Sequence, residues 1–86
     1  MARYEIFIKP SALRELEDLA TKKARRRIVR AINALSQDPR PHGSRKLSGR
    51  DKYRIRTGAF RILYEIQDPH LTVTVVKIGH RREVYR

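Results

Sequence analysis

Between Lys52 and Thr57 the chain alternates strictly: Tyr53, Ile55 and Thr57 fall on one side, Lys52, Arg54 and Arg56 on the other. A period of two predicts a strand with one apolar and one cationic face. Gly58 and Ala59 supply a tight connection to a second strand, Phe60 through Gln67. Asp68-Pro69-His70 makes the next turn, and Leu71 through Ile78 forms the last strand, which completes an antiparallel three-strand meander. Upstream, Tyr4-Glu5-Ile6-Phe7-Ile8 is short, aromatic and β-branched, as a strand should be. Lys9-Pro10-Ser11 stops it, because proline disfavours helix before it and serine caps the helix that follows.

Two helical stripes come next. From Ala12 to Ala20 the apolar positions Leu13, Leu16, Leu19 and Ala20 share one face, with Arg14, Glu15, Glu17 and Asp18 mostly outside it. After Thr21, the positions Ala24, Ile28, Ala31, Ile32 and Leu35 repeat the helical spacing, so the two segments form a helical hairpin. Residues 37–46 carry two prolines and a glycine without periodicity and read as a loop. No internal repeat or low-complexity segment interrupts the order. The fold class is therefore α+β: an N-terminal strand, a two-helix hairpin, then the three-stranded meander, with both helices on one face of the sheet. Tyr53, Phe60 and Tyr64 share the apolar register and belong to the core. The opposite face collects Arg54 and Arg56 and, from the neighbouring strand, Arg61.

Length and composition narrow this picture. Eighty-six residues make a single domain, spanning 1–86, with a small core, since chains near this size bury only ~60% of the surface they expose when unfolded. The absence of cysteine removes disulfides, thiolate catalysis and cysteine-based zinc sites, and suits a reducing cytoplasm. The longest apolar runs, Ile6-Phe7-Ile8 and Ile62-Leu63-Tyr64, are far short of the ~20 residues of a membrane span, so a soluble, cytoplasmic protein without membrane contact is expected. Charge changes the picture most. The net charge is +12, and residues 21–61 hold 14 of the 21 lysines and arginines against only Asp38 and Asp51. A concentrated cationic block focuses potential and draws polyanions. Nucleic acid or an acidic protein is the partner this implies. The outward cations of the second helix, Lys22, Lys23, Arg25, Arg26, Arg27 and Arg30, fit either a solvated face or contact with RNA backbone.

Familiar catalytic motifs are missing. Gly43 to Gly49 has five residues between glycines, where a phosphate-binding loop needs four, and no Lys-Ser or Lys-Thr follows. His42, His70 and His80 lack the spacing that aims two imidazoles at one metal, and nothing resembles a nucleophile elbow.

What remains is an ordered set of segments: Lys46-Leu47-Ser48-Gly49, Tyr53-Arg54-Ile55-Arg56, Phe60-Arg61-Ile62-Leu63-Tyr64 and Gly79-His80-Arg81-Arg82-Glu83-Val84-Tyr85. In this order and spacing they resemble the RelE toxins of the RelE/ParE superfamily, and the preceding strand and helical hairpin match that family's order of elements. The resemblance implies a toxin that enters the A site of the 70S ribosome and cleaves messenger RNA, held in check by a cognate acidic antitoxin. It implies no cofactor and no metal: the ribose 2′-hydroxyl attacks the adjacent phosphate and leaves a 2′,3′-cyclic phosphate or its opened product. Position by position, Arg54 and Arg56 stand where RelE toxins commonly carry lysines, Arg61 at the family's sheet arginine, and Arg81 and Tyr85 at its tail arginine and tyrosine.

Those side chains divide the chemistry unevenly. Arginine is a fixed cation whose fork matches phosphate oxygens, so Arg54, Arg56, Arg61 and Arg81 suit phosphate binding and charge stabilisation but not proton abstraction. The base falls to Tyr85, whose phenolate the surrounding cations would favour, or to His80, whose ordinary pKa of ~6.5 suits acid–base work. Glu83 is a weaker candidate, since it can simply pair with an arginine. Arg45, Lys46, Arg50 and Lys52 are assigned to RNA docking around that centre. A plainer reading of Arg54 and Arg56 is that they are edge-strand charges that block aggregation. Two other functions stay open: a ParE-like inhibitor of DNA gyrase, and a non-catalytic RNA-binding module.

Overall fold

The computed structural model describes residues 3–47, 49 and 51–80. Along the chain they form β1 (Glu5–Ile8), α1 (Pro10–Glu17), α2 (Lys22–Ala34), β2 (Arg45–Lys46), β3 (Lys52–Thr57), β4 (Phe60–Gln67), a 3₁₀ turn (Asp68–His70) and β5 (Thr72–His80). The strands make one sheet of order β1-β5-β4-β3-β2. β3, β4 and β5 are the antiparallel meander the alternation predicts, and β1 runs parallel to β5, with Glu5 opposite Thr72 and Ile8 opposite Val75.

Four expectations need correction. The stretch 37–46 is not wholly loop: Arg45 and Lys46 pair with Arg54 and Tyr53 as a fifth strand. Two residues are too few to show a period, and the pairing is imposed by the outer edge of β3, which would otherwise present unpaired backbone groups. The last strand begins at Thr72 and runs to His80, because Leu71 closes the 3₁₀ turn in the left-handed region at φ 51°. The first helix starts at Pro10 and is capped at Lys9, so Ser11 lies inside it and its side chain caps nothing. Proline suits the first helical position, where its missing N–H has no partner to lose. Finally, α1 docks through Ala12 and Leu16, whereas Leu13 stays 43% exposed. α1 ends at Glu17, short of the expected Ala20, so Leu19 falls beyond it, and of the two leucines inside the helix packing against β5 selects Leu16.

The second helix follows its pattern. Thr21 Oγ1 accepts the Ala24 N–H at 3.0 Å, which caps α2. Ile28, Ile32 and, beyond the helix, Leu35 are buried against the sheet, where they meet Ile55, Ile62, Tyr64, Ile66, Val73, Val75 and Ile78. Val75 and Ile78 are three residues apart, yet both face the helices. A β-bulge permits this: Tyr64 pairs with Val75 and Leu63 with Lys77, which leaves Val76 as the extra residue.

The end of the sheet carrying the 3₁₀ turn is tied down by polar side chains. Arg40 grips Asp68 with both terminal nitrogens, at 2.7 and 3.2 Å, and donates from Nε to the Tyr53 hydroxyl at 3.1 Å. Its guanidinium also lies 5.1 Å from the centre of the Tyr53 ring, which stacks on Tyr64 at 5.9 Å. Tyr4 donates to Asp68 at 2.6 Å, and the buried Tyr64 hydroxyl donates to the Pro39 carbonyl at 2.7 Å. Arg40, then Tyr4, holds the Asp68 carboxyl below its usual range, while Asp68 raises both the Tyr4 phenol and the Arg40 guanidinium. Burial pushes Tyr64 up to about 12, so its hydroxyl remains a donor.

Candidate nucleic-acid interface

Strand alternation, applied to the observed register, decides which cations meet. Lys52, Arg54 and Arg56 lie on the face of β3 turned away from the helices, because Tyr53 and Ile55 are in the core. Arg45 is opposite Arg54, and Arg61 is opposite Arg56, so four arginines of three strands share that face as two cross-strand pairs. Arg54 and Arg61 are also nearly buried, at 6% and 9% exposure, whereas Arg56 is open to solvent. The position opposite Arg61 on β5 is Gly79.

Because β2 pairs with β3 at Tyr53 and Arg54, Arg54 is not the edge-strand charge of the plainer reading, whereas Arg56 lies beyond that pairing. The true edges are β1 and β2. At the other end of the same face, Lys52 is opposite Glu65, and these two residues with Gly49, Asp51 and Gln67 line a cleft of ≈540 Å³.

Two of the expected residues fall elsewhere. Lys46 is opposite Tyr53 and therefore takes the helix-side register of the edge strand. His80 is opposite Phe60, also on the helix side, and its ring meets Phe60 edge-on at 5.9 Å. The sheet thus separates His80 from the arginines rather than bringing it to them. Arg50, Arg81, Glu83 and Tyr85 lie outside the described residues.

Sequence reasoning did not single out Glu15. Parallel pairing with β1 ends where Lys9 donates to the Val75 carbonyl at 3.0 Å. Beyond that point no strand among the described residues lies beside the outer edge of β5, and Glu15 of α1 takes the place: Oε1 accepts the Ile78 N–H at 2.9 Å and Oε2 meets Lys77 Nζ at 3.3 Å. No sequence signal marks this role, since it depends on where β1 stops.

Fixed cations arranged in this way can bind phosphate oxygens and stabilise charge developing on phosphorus. They cannot accept a proton near neutral pH. Among the described residues no group of three His, Cys, Asp or Glu side chains sits together as a metal site would, and no helix is long and apolar enough to cross a membrane.

Known proteins share both the sequence and the shape. A family model described as the ParE toxin of the type II toxin–antitoxin system parDE matches residues 6–85. Toxin RelG of Mycobacterium tuberculosis is 31% identical to this chain over an alignment that covers 96% of this chain and 97% of that one. The RelE of the archaeal RelE–RelB complex from Pyrococcus horikoshii superposes with a TM-score of 0.84 at 26% identity, covering 96% of this chain and 99% of that one. The isolated RelE toxin of E. coli superposes with a TM-score of 0.78 at 28% identity, over 95% and 90% of the two chains. With the matched model spanning nearly all of β1 to the C-terminal segment, and an arginine-lined sheet beneath it, this chain belongs to the RelE/ParE superfamily of type II toxin–antitoxin toxins.

Proposed function

We propose that this toxin is a ribosome-dependent mRNA endonuclease, cleaving in the A site without a metal. The observation that carries the reading is the double pairing of like charges, Arg45 with Arg54 and Arg56 with Arg61, on one face of the sheet. Guanidinium groups gathered on one face match the oxygens of a phosphodiester laid across it and the charge that develops on phosphorus. In this reading Arg54, Arg56, Arg61 and Arg81 hold the scissile phosphate and the charge that grows on it. Tyr85 removes the proton of the 2′-hydroxyl, the 2′-oxygen bonds to phosphorus, and the bond to the 5′-oxygen breaks as that oxygen takes a proton from water. The products are a 2′,3′-cyclic phosphate and a 5′-hydroxyl. Arg45, Lys52 and Arg50 dock the flanking nucleotides. The chain acts in the cytoplasm, and an acidic antitoxin laid over residues 21–61 neutralises the block and excludes RNA.

The test is purified protein added to translating ribosomes, with the new RNA ends mapped. Cleavage within the A-site codon, abolished by Tyr85→Phe while RNA binding persists, is the expected result. Growth arrest without cleavage would refute it. The parDE description of the matching family model favours a second reading, a poison of DNA gyrase; inhibition of supercoiling with intact mRNA would establish that one instead.

A further inference from the structure

Helix α2 carries six cations, Lys22, Lys23, Arg25, Arg26, Arg27 and Arg30, and no acidic residue. One of them has structural work: Arg25 Nη1 donates to the Leu19 carbonyl at 2.6 Å and secures the connection from α1. Lys23, Arg26, Arg27 and Arg30 are exposed and occupy positions i, i+3, i+4 and i+7, a single stripe about 10 Å long. Together they line a cleft of ≈450 Å³. Cations at these spacings repel one another, and those in the first turn also oppose the helix dipole. The described ion pairs, Arg40–Asp68 and Lys77–Glu15, lie elsewhere and relieve none of this. A face kept only for solubility gains nothing from segregating one sign of charge.

The stripe is joined to the arginine face. Gly58, at φ 60°, makes the turn between Arg56 on β3 and Arg61 on β4, and a Cβ there would stand 2.8 Å from Arg27 Nη1. Arg27 therefore lies directly on the turn that links the like-charged pair. Cations run from the sheet, around the hairpin tip, and along α2.

We propose that Lys23, Arg26, Arg27 and Arg30 form a second RNA-docking surface, which holds the phosphate backbone of a strand that continues from the arginine face past Gly58. The proposal extends the nuclease reading but concerns binding alone. A protein partner fits less well, because the cleft is lined by four cations and the apolar surface beside Arg26 and Arg30 is the single residue Val29, whereas protein interfaces are built around an apolar core and nucleic-acid interfaces around positive charge.

The experiment measures binding of a fluorescein-labelled single-stranded oligoribonucleotide by anisotropy across a salt series, using the full chain and the variants Arg26→Gln/Arg30→Gln and Lys23→Gln/Arg26→Gln. Each phosphate contact on single-stranded RNA contributes about 0.7 to the salt slope, so each double variant should lower its magnitude by about 1.4 and weaken binding about 25-fold at 0.1 M salt. Both variants should melt no lower than the parent, because they remove repulsion. Unchanged affinity and slope would overturn the proposal. So would normal RNA binding with weakened binding of an acidic antitoxin, which would make the stripe a protein interface. If the parent fails to cleave mRNA on ribosomes but the variants still lose RNA affinity, the nuclease reading falls and this surface stands.

Discussion

Replacing Glu15 with alanine tests how the end of β5 is held. The carboxylate is the outer neighbour of β5 beyond Val75, accepting the Ile78 N–H at 2.9 Å and meeting Lys77 Nζ at 3.3 Å. A hydrogen bond to a charged group contributes about 1.5–3 kcal/mol, and losing it strands a partly buried amide at the point where β1 has already ended. The Lys77 contact adds little, because both side chains are a third or more exposed and water screens the pair. Together these give a loss of about 2 kcal/mol for Glu15→Ala, or roughly 8–16 °C in melting temperature for a domain of this size. Glu15→Gln keeps an acceptor for the amide without the charge, so about half of the loss should return.

Thermal melting supplies the global number, and amide hydrogen exchange at Ile78, Gly79 and His80 supplies the local one. Exchange there should accelerate more in Glu15→Ala than at Ile62 on the neighbouring strand. Under the nuclease proposal the maximal cleavage rate falls too, because this stretch sets Gly79 opposite Arg61 and leads into the segment carrying Arg81 and Tyr85. A melting temperature within about 2 °C of the parent, with unchanged Ile78 exchange, would show that the carboxylate is not acting as a substitute strand.

Three further outcomes follow from other parts of the fold. Tyr64→Phe removes the donor to the buried Pro39 carbonyl and should cost about 1–3 kcal/mol by chemical denaturation, with little change in the exposed Arg40–Asp68 contact. Asp68 has its carboxyl lowered by Arg40, so its contribution to stability is complete above the ordinary Asp pKa and is lost as the pH falls through the depressed folded value; melting against pH should show this acid loss, and Asp68→Asn should remove it. Gly58→Ala forces a side chain into φ 60° and against Arg27, which should cost about 1–2 kcal/mol in denaturant titrations and, under the proposal for the α2 stripe, weaken RNA binding through the displaced guanidinium.

The meander was legible because its signal is repeated. Three strands of alternating residues joined by Gly58-Ala59 and Asp68-Pro69-His70 leave few other arrangements, and the stripe of Ile28, Ile32 and Leu35 could bury only one face of α2. Features that depend on a neighbour were not legible. β2 exists because β3 has an outer edge, α1 turned Leu13 outward because β5 offered a place for Ala12 and Leu16, and the bulge at Val76 keeps Ile78 inward where simple alternation would not. The site divides along the same line. Arg54 and Arg56 could be placed together from their spacing, whereas the meeting of Arg45 with Arg54 and the separation of His80 from the arginines are matters of register.

Under the nuclease proposal, arginine at 54 and 56 constrains how catalysis can work. A lysine at either position could lose its proton when buried and accept one from a 2′-hydroxyl; a guanidinium cannot, however deeply it is set in the sheet. Arg54, at 6% exposure, is thus committed to holding charge, and the stronger its grip on phosphate, the more the reaction depends on a base brought from another element. Of the two bases expected from the sequence, His80 stands across the sheet with its ring on Phe60. That leaves Tyr85 as the base the proposal requires, and under that proposal the Glu15 contact, which holds the end of β5, bears on the chemistry as well as on the fold.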